Sequence, residues 1–181
     1  MNIAQKEILA KVKAGERLTV EGAEKLLTVT GSDVYEVVKA AEEVKKAKTG
    51  KQITYVVNYN LNLSNICVNN CLFCGFNESL GSTSAYRLSY KEINQHLDRV
   101  EKHDVSEICL VSGLHPDFNL NTYLEVIKLI KDRLPDIHLH GITPAELAHG
   151  LEDSELGFAE GYQRLKEAGL DSVPGTAAEI L

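Results

Sequence analysis

The chain lacks an uninterrupted apolar run long enough to cross a bilayer. Its first residues, Met1-Asn-Ile-Ala-Gln-Lys6, lack the apolar core of a signal peptide. It also lacks a basic block: 19 Lys and Arg stand against 26 Asp and Glu, for a formal net charge of -7, which removes the usual electrostatic footprint of a nucleic-acid surface. No internal repeat and no low-complexity segment interrupts it. Cysteine is scarce, at 4 residues, and an odd thiol would be left over in any pairing of the three that lie close together. These cysteines read better as ligands than as a disulfide framework. The absences predict a cytoplasmic protein with neither a membrane nor a nucleic acid as partner.

What is present is an ordinary globular composition, 44% apolar and 25% charged over 181 residues, enough for one domain with a sizeable core. Residues 1–50 read as helical. Ile3, Ile8, Leu9 and Val12 space like one buried face ending near Gly15, a short helix follows Thr19, and a third runs from Ser32 or Asp33 to Gly50. The third turns Val34, Val37, Val38, Ala41 and Val44 inward. From Ile53 the period changes to two: Ile53, Tyr55, Val57, Tyr59, Leu61 and Leu63 alternate with Thr54, Val56, Asn58, Asn60 and Asn62. Asn58, Asn60 and Asn62 on one strand face mark either a solvated surface or an enclosed polar site.

Beyond residue 88, strand and helix patterns alternate. Ser89-Tyr-Lys-Glu92 is a capping box opening a helix to about Lys102, Glu107 to Val111 reads as a buried strand, and Thr122 to Leu134 as an amphipathic helix. Ile137 to His140 is a short strand, Thr143-Pro-Ala-Glu146 a second capping box, Phe158 to Ala168 a helix closed by Gly169, and Leu170 to Val173 a fourth strand. Such alternation predicts parallel βαβ units. The expected organisation is a helical segment over 1–50 followed, over 51–181, by about four parallel strands of a partial (β/α) barrel. A closed eight-stranded barrel takes about 250 residues, so the expectation is an N-terminal piece of a longer enzyme.

The chemistry is concentrated in Asn65-Ile-Cys-Val-Asn-Asn-Cys-Leu-Phe-Cys-Gly-Phe76, where Cys67, Cys71 and Cys74 are spaced C-x3-C-x2-C. Three thiolates on one loop can hold three corners of a four-iron cluster and leave the fourth iron open for a ligand. A structural zinc site needs a fourth donor, and the local segment has no histidine. Cys109 would have to supply it, both for zinc and for a simple electron carrier, and it lies in an apolar strand where a packed thiol is the commoner outcome. A zinc or iron–sulfur binding module and an inactive fragment stay open beside the enzyme reading.

The cysteine run, with Phe73 before its third cysteine, resembles the signature of the radical S-adenosylmethionine (SAM) superfamily. Thr54-Tyr-Val-Val-Asn-Tyr-Asn-Leu-Asn-Leu-Ser-Asn-Ile-Cys67, Ser112-Gly-Leu-His-Pro-Asp117, His138-Leu-His-Gly-Ile-Thr-Pro-Ala-Glu146 and Gly169 to Leu181 resemble one subfamily within it. That subfamily contains the second subunit of the deazaflavin (FO) synthase, aminofutalosine synthase and the dehypoxanthine futalosine cyclase. Pro174-Gly-Thr-Ala-Ala-Glu179 and Glu107-Ile-Cys109 look most like the deazaflavin branch. Two positions depart from the pattern: Ser112-Gly113 stands where members commonly have a glycine pair, and Tyr59 where many carry a basic residue.

The resemblance implies a radical SAM transferase. Its open iron chelates SAM, and an electron from an external donor cleaves the sulfonium bond to a 5′-deoxyadenosyl radical. In the deazaflavin branch the small-molecule substrates are tyrosine and 5-amino-6-ribitylaminouracil; the alternative is a futalosine-pathway compound on the way to menaquinone. The implied ligands of the [4Fe-4S] cluster are Cys67, Cys71 and Cys74. Phe73, Gly75, Ser112, Gly113 and Glu179 are candidates for SAM, Asn58, Asn60 and Asn62 for substrate, and His115 and His140 for proton movement at strand ends.

Overall fold

The computed structural model describes residues 1–69 and 71–175. Asn70 and residues 176–181, the candidate Glu179 among them, lie outside the described residues. The chain divides into two compact units, Met1–Tyr55 and Val56–Leu181.

The first unit holds α1 (Ile3–Lys13), α2 (Val20–Leu27), a short 3-10 turn and α3 (Val34–Thr49). Local chemistry sets the starts. Asn2 and Gln5 form a capping box on α1, and the Thr19 hydroxyl accepts the Gly22 amide 3.1 Å away at the head of α2. Gln5 then donates to the Lys25 carbonyl at 2.9 Å, tying α1 to α2. The buried faces differ from the spacing-based expectation. Leu9 is buried as expected, but Ile3, Val34 and Val38 are exposed and Ala40 is buried in α3 instead. Short helices admit two neighbouring registers of the same 3.6-residue stripe.

The second unit is a three-stranded parallel sheet of β1 (Asn58–Asn62), β2 (Glu107–Val111) and β3 (His138–Gly141), in that order. After β1 comes α4 (Tyr90–Val100), after β2 comes α5 (Leu120–Arg133), and after β3 come α6 (Pro144–Gly150) and α7 (Phe158–Ala168). Both predicted capping boxes are present, at Ser89 with Glu92 and at Thr143 with Glu146, and Gly169 closes α7 with φ 116°. A third box, Asn119 with Thr122, starts α5 two residues earlier than the apolar pattern implied.

One face of the sheet is the core. Leu61, Ile108, Leu110 and Leu139 are fully buried and pack with Ile93 and Leu97 of α4 and Ile127 and Ile130 of α5. Each such side chain contributes about 1.5–3 kcal/mol by leaving water. Arg133 on α5 pairs with Asp98 at 2.9 Å and Glu101 at 2.6 Å, bracing α4 from outside.

Two strand expectations are corrected. The first strand does not begin at Ile53: Ile53 and Tyr55 are both 85% exposed, and only Asn58–Asn62 pairs with β2. Alternation therefore overran the pairing, because a period of two needs a neighbouring strand to become a ladder. The fourth strand shrinks to a single parallel bridge, His140 with Ser172. There the Asp171 carboxylate, held by Lys131 at 2.7 Å, takes the Leu139 amide at 2.8 Å, the place a backbone carbonyl would fill.

Candidate active site

The C-terminal ends of parallel strands gather the loops that bind ligands in such folds, and the cysteine loop leaves the end of β1. Its root is built by two short polar side chains. Ser64 is wholly buried; its hydroxyl donates to the Tyr86 carbonyl at 2.7 Å and accepts the Ile66 amide at 3.1 Å. Asn65 donates to the Ser84 carbonyl at 2.8 Å and accepts the Tyr86 amide at 2.7 Å. The outgoing and returning arms of the loop are thereby clamped together. Cys67 donates its amide to the Glu78 carbonyl at 3.1 Å, and Val68 donates to the Leu114 carbonyl at 2.9 Å.

Cys67, Cys71 and Cys74 are free thiols and half-buried, so none is locked in a disulfide. Among the described residues no three His, Cys, Asp or Glu side chains converge on one metal-sized point. The thiols are neighbours on a loop fixed at its base and open at its tip, where Leu72 and Phe73 are exposed. Three unpaired thiols within eight residues, on a loop leaving a strand end, form a donor set suited to three irons of a cluster.

Gly113, at the end of β2, supplies the wall. A Cβ there would lie 2.3 Å from the Ile66 carbonyl oxygen and 3.1 Å from Cys67 Cβ. Its amide donates to the Ser64 carbonyl at 2.9 Å. Only glycine permits that approach. Ser112, just before it, is half-buried, and its hydroxyl makes a long contact of 3.5 Å with the same carbonyl. Among the described residues nothing lies within 4 Å of the Gly75 Cβ position, and Phe73 is 75% exposed, so packing against those residues requires neither. Ile142, after β3, is buried at φ 53°, a conformation unfavourable for a branched side chain.

The open face of the sheet is polar. The register aligns Asn58, Glu107 and His138 in one row and Asn60, Cys109 and His140 in the next, with Asn62 beyond. Cys109 is thus not a packed core thiol, as its apolar neighbours implied; it sits half-buried on this face, its pKa raised by burial and by Glu107 and Glu146. Asn58 is engaged by Glu107 at 2.7 Å. His140 is half-buried, with Nδ1 2.7 Å from Ser172 Oγ.

His115 lies elsewhere in character. It is only 3% exposed, stacks on Phe118 at 4.7 Å between centroids, and accepts the Asp117 amide on Nδ1 at 3.1 Å. Arg87 lies over the Phe118 ring, 4.9 Å from its centroid. Burial and the Arg87 charge push the His115 pKa down.

The Thr143-Pro-Ala-Glu146 box predicts only a helix cap for Glu146, and the structure buries it to 2% exposure. Its Oε2 accepts the Thr143 amide at 2.8 Å, while Oε1 has no partner among the described residues. Tyr123 and Tyr162 hydroxyls are likewise buried without partners. Burial raises the Glu146 pKa to about 7, against the pull of Thr143 and of the Ser112 amide. The signal was present in the Thr-Pro-Ala-Glu box, but a capping glutamate is ordinarily solvated and burial is not written in the motif.

A parallel βαβ sheet with a three-thiol loop at the end of its first strand and a glycine wall against that loop is a partial (β/α)-barrel scaffold carrying a candidate metal-binding loop. The family model described as the radical SAM superfamily matches residues 61–177, and the chain belongs to that superfamily. It is similar, at 42% identity over 100% of its length, to a Methanosphaerula palustris protein named 5-amino-6-(D-ribitylamino)uracil–L-tyrosine 4-hydroxyphenyl transferase, of which it covers 50%. A Methanoculleus marisnigri protein of the same name is 39% identical over 97% of the chain and 48% of the relative. FO synthase of Mycobacterium leprae is 34% identical over 97% of the chain and 21% of the relative. The chain thus spans about half the length of the first two. Among solved structures, the hydrogenase maturase HydG matches with a TM-score of 0.70 and 26% identity, over 92% of this chain and 35% of that one. Methylornithine synthase PylB shares the fold, with a TM-score of 0.64 and 20% identity, over 93% of this chain and 58% of that one.

Proposed function

We propose that the chain carries the cluster- and SAM-binding part of a transferase that joins the 4-hydroxybenzyl portion of tyrosine to 5-amino-6-ribitylaminouracil. The observation that carries this reading is the 42% identity to the Methanosphaerula palustris transferase along all 181 residues. The pinned three-cysteine loop supplies the physical basis. When bound, the cluster and SAM supply one-electron cleavage of the sulfonium bond, with the electron drawn from an external donor.

The chain's own residues hold and orient. Cys67, Cys71 and Cys74 would hold three irons of the cluster. Gly113 and Ser112 bring the end of β2 against the loop root, and would line the side of the loop where SAM binds. Asn60 and Asn62 line the open polar face toward substrate, while Asn58 serves by holding Glu107. His140 addresses the substrate from β3, and His115 braces the loop after β2 rather than moving protons. Phe73 and Gly75 at the exposed loop tip, and Glu179 outside the described residues, complete the set of residues assigned to SAM.

The test is anaerobic iron and sulfide analysis with electron paramagnetic resonance of the reduced protein, with and without SAM, followed by assay with tyrosine and the aminouracil. A four-iron signal that shifts with SAM, and a coupled product from the two substrates, is the expected outcome. Bound zinc, or a cluster indifferent to SAM, overturns the reading.

A further inference from the structure

We propose that Ser172, backed by His138 and Glu107, is a positioning residue that presents His140 to substrate as an Nε2–H hydrogen-bond donor. Ser172 Oγ lies 2.7 Å from His140 Nδ1 and 2.8 Å from His138 Nε2, bridging two histidines that share the polar face of β3. A hydroxyl has one hydrogen and two lone pairs; among the described residues the two rings are its partners, so its hydrogen is used only when it donates to one ring and accepts from the other. The neighbours decide which. Glu107 Oε2 stands 3.9 Å from the same His138 Nε2, and a carboxylate favours a proton on the nitrogen it faces. His138 Nε2–H therefore donates to Ser172 Oγ, and the Ser172 hydroxyl donates to His140 Nδ1. The remaining ring hydrogen of neutral His140 is on Nε2, which has no partner among the described residues.

Glu107 is itself oriented, because Asn58 donates to its Oε1 at 2.7 Å. The relay crosses all three strands: Asn58 on β1, Glu107 on β2, His138 and His140 on β3, then Ser172 on the bridge beyond. Ser172 reaches this place because its carbonyl accepts the Gly141 amide at 2.9 Å and its amide meets the Leu139 carbonyl at 3.2 Å. A donor at His140 Nε2 suits an oxygen acceptor, the kind offered by a pyrimidine carbonyl or an amino-acid carboxylate. The substrate part of this assignment rests on the transferase reading; the tautomer part does not.

Two-bond nitrogen–proton correlation spectra of the full chain with labelled histidine decide it. The expected result is His140 as a single Nε2–H tautomer, a mixture of tautomers in Ser172→Ala, and recovery in Ser172→Thr. A mixed or Nδ1–H state of His140 before any substitution would overturn the assignment. Titration with the aminouracil and tyrosine is the second measurement. Ser172→Ala is expected to weaken binding roughly tenfold, with Ser172→Thr restoring it. Unchanged binding in Ser172→Ala, despite a scrambled tautomer, would also overturn the positioning role. If the unsubstituted chain binds neither compound, the transferase reading fails, and the tautomer spectra alone judge the relay.

Discussion

Gly113 and Ile66 meet backbone to backbone: a Cβ on Gly113 would stand 2.3 Å from the Ile66 carbonyl oxygen, one residue before Cys67. The obstacle is main chain, which cannot rotate away, so Gly113→Ala must displace either the end of β2 or the root of the cysteine loop. The variant is expected to lose ~1–3 kcal/mol of stability. Iron bound per chain after anaerobic reconstitution should fall with it. Urea unfolding and iron analysis of the same preparation read both effects.

The four cysteines divide by position. Replacing Cys67, Cys71 or Cys74 by serine is expected to abolish a stable four-iron cluster, because each removes one of three thiolates from a single loop. Cys109→Ser, on the open sheet face, should retain it. Iron and sulfide content, compared across the four variants, checks the division; loss of the cluster on replacing Cys109 would contradict it.

The loop root depends on Asn65, which makes two hydrogen bonds to the returning arm at Ser84 and Tyr86. Asn65→Ala removes both exposed hydrogen bonds, whose place water can take, and should cost ~1 kcal/mol. Limited proteolysis is expected to cleave residues 67–86 faster in this variant, while α4 and α5 stay intact.

Glu146 carries a pH signature. Its folded pKa is raised from 4.5 to about 7 by burial, so the folded state keeps the proton that the unfolded state gives up first. Stability is whole below the unfolded value of 4.5 and declines as pH rises through about 7, by on the order of 3 kcal/mol. Glu146→Gln keeps a carbonyl oxygen for the Thr143 amide and removes the titration. Denaturant midpoints at about pH 5 and about pH 8 should differ markedly in the native chain and little in the variant.

Helix starts were the most legible part of the fold. Ser89 with Glu92 and Thr143 with Glu146 are complete within four residues, and both boxes form as spaced. The strand ends were less so. Ile53 and Tyr55 alternate as regularly as Leu61 and Leu63, yet only the latter pair are buried, since pairing with β2 starts at Asn58. The fourth strand failed for a related reason: the Asp171 side chain competes for the Leu139 amide, a contact across 32 residues that no local pattern contains.

The sequence by itself determined the chemistry of the donor set and the order of elements, because C-x3-C-x2-C, the capping boxes and the apolar periods are properties of neighbours along the chain. Tertiary structure decided which of those residues face a site. It buried Glu146 behind its own cap, enclosed His115 against Phe118, and turned Cys109 toward the polar face. It also set Ser172 between His138 and His140, with separations in sequence of 34 and 32 residues. A hydroxyl's role there depends on which nitrogen lies within hydrogen-bond reach, and that distance exists only after β3 and the segment beyond it have come together.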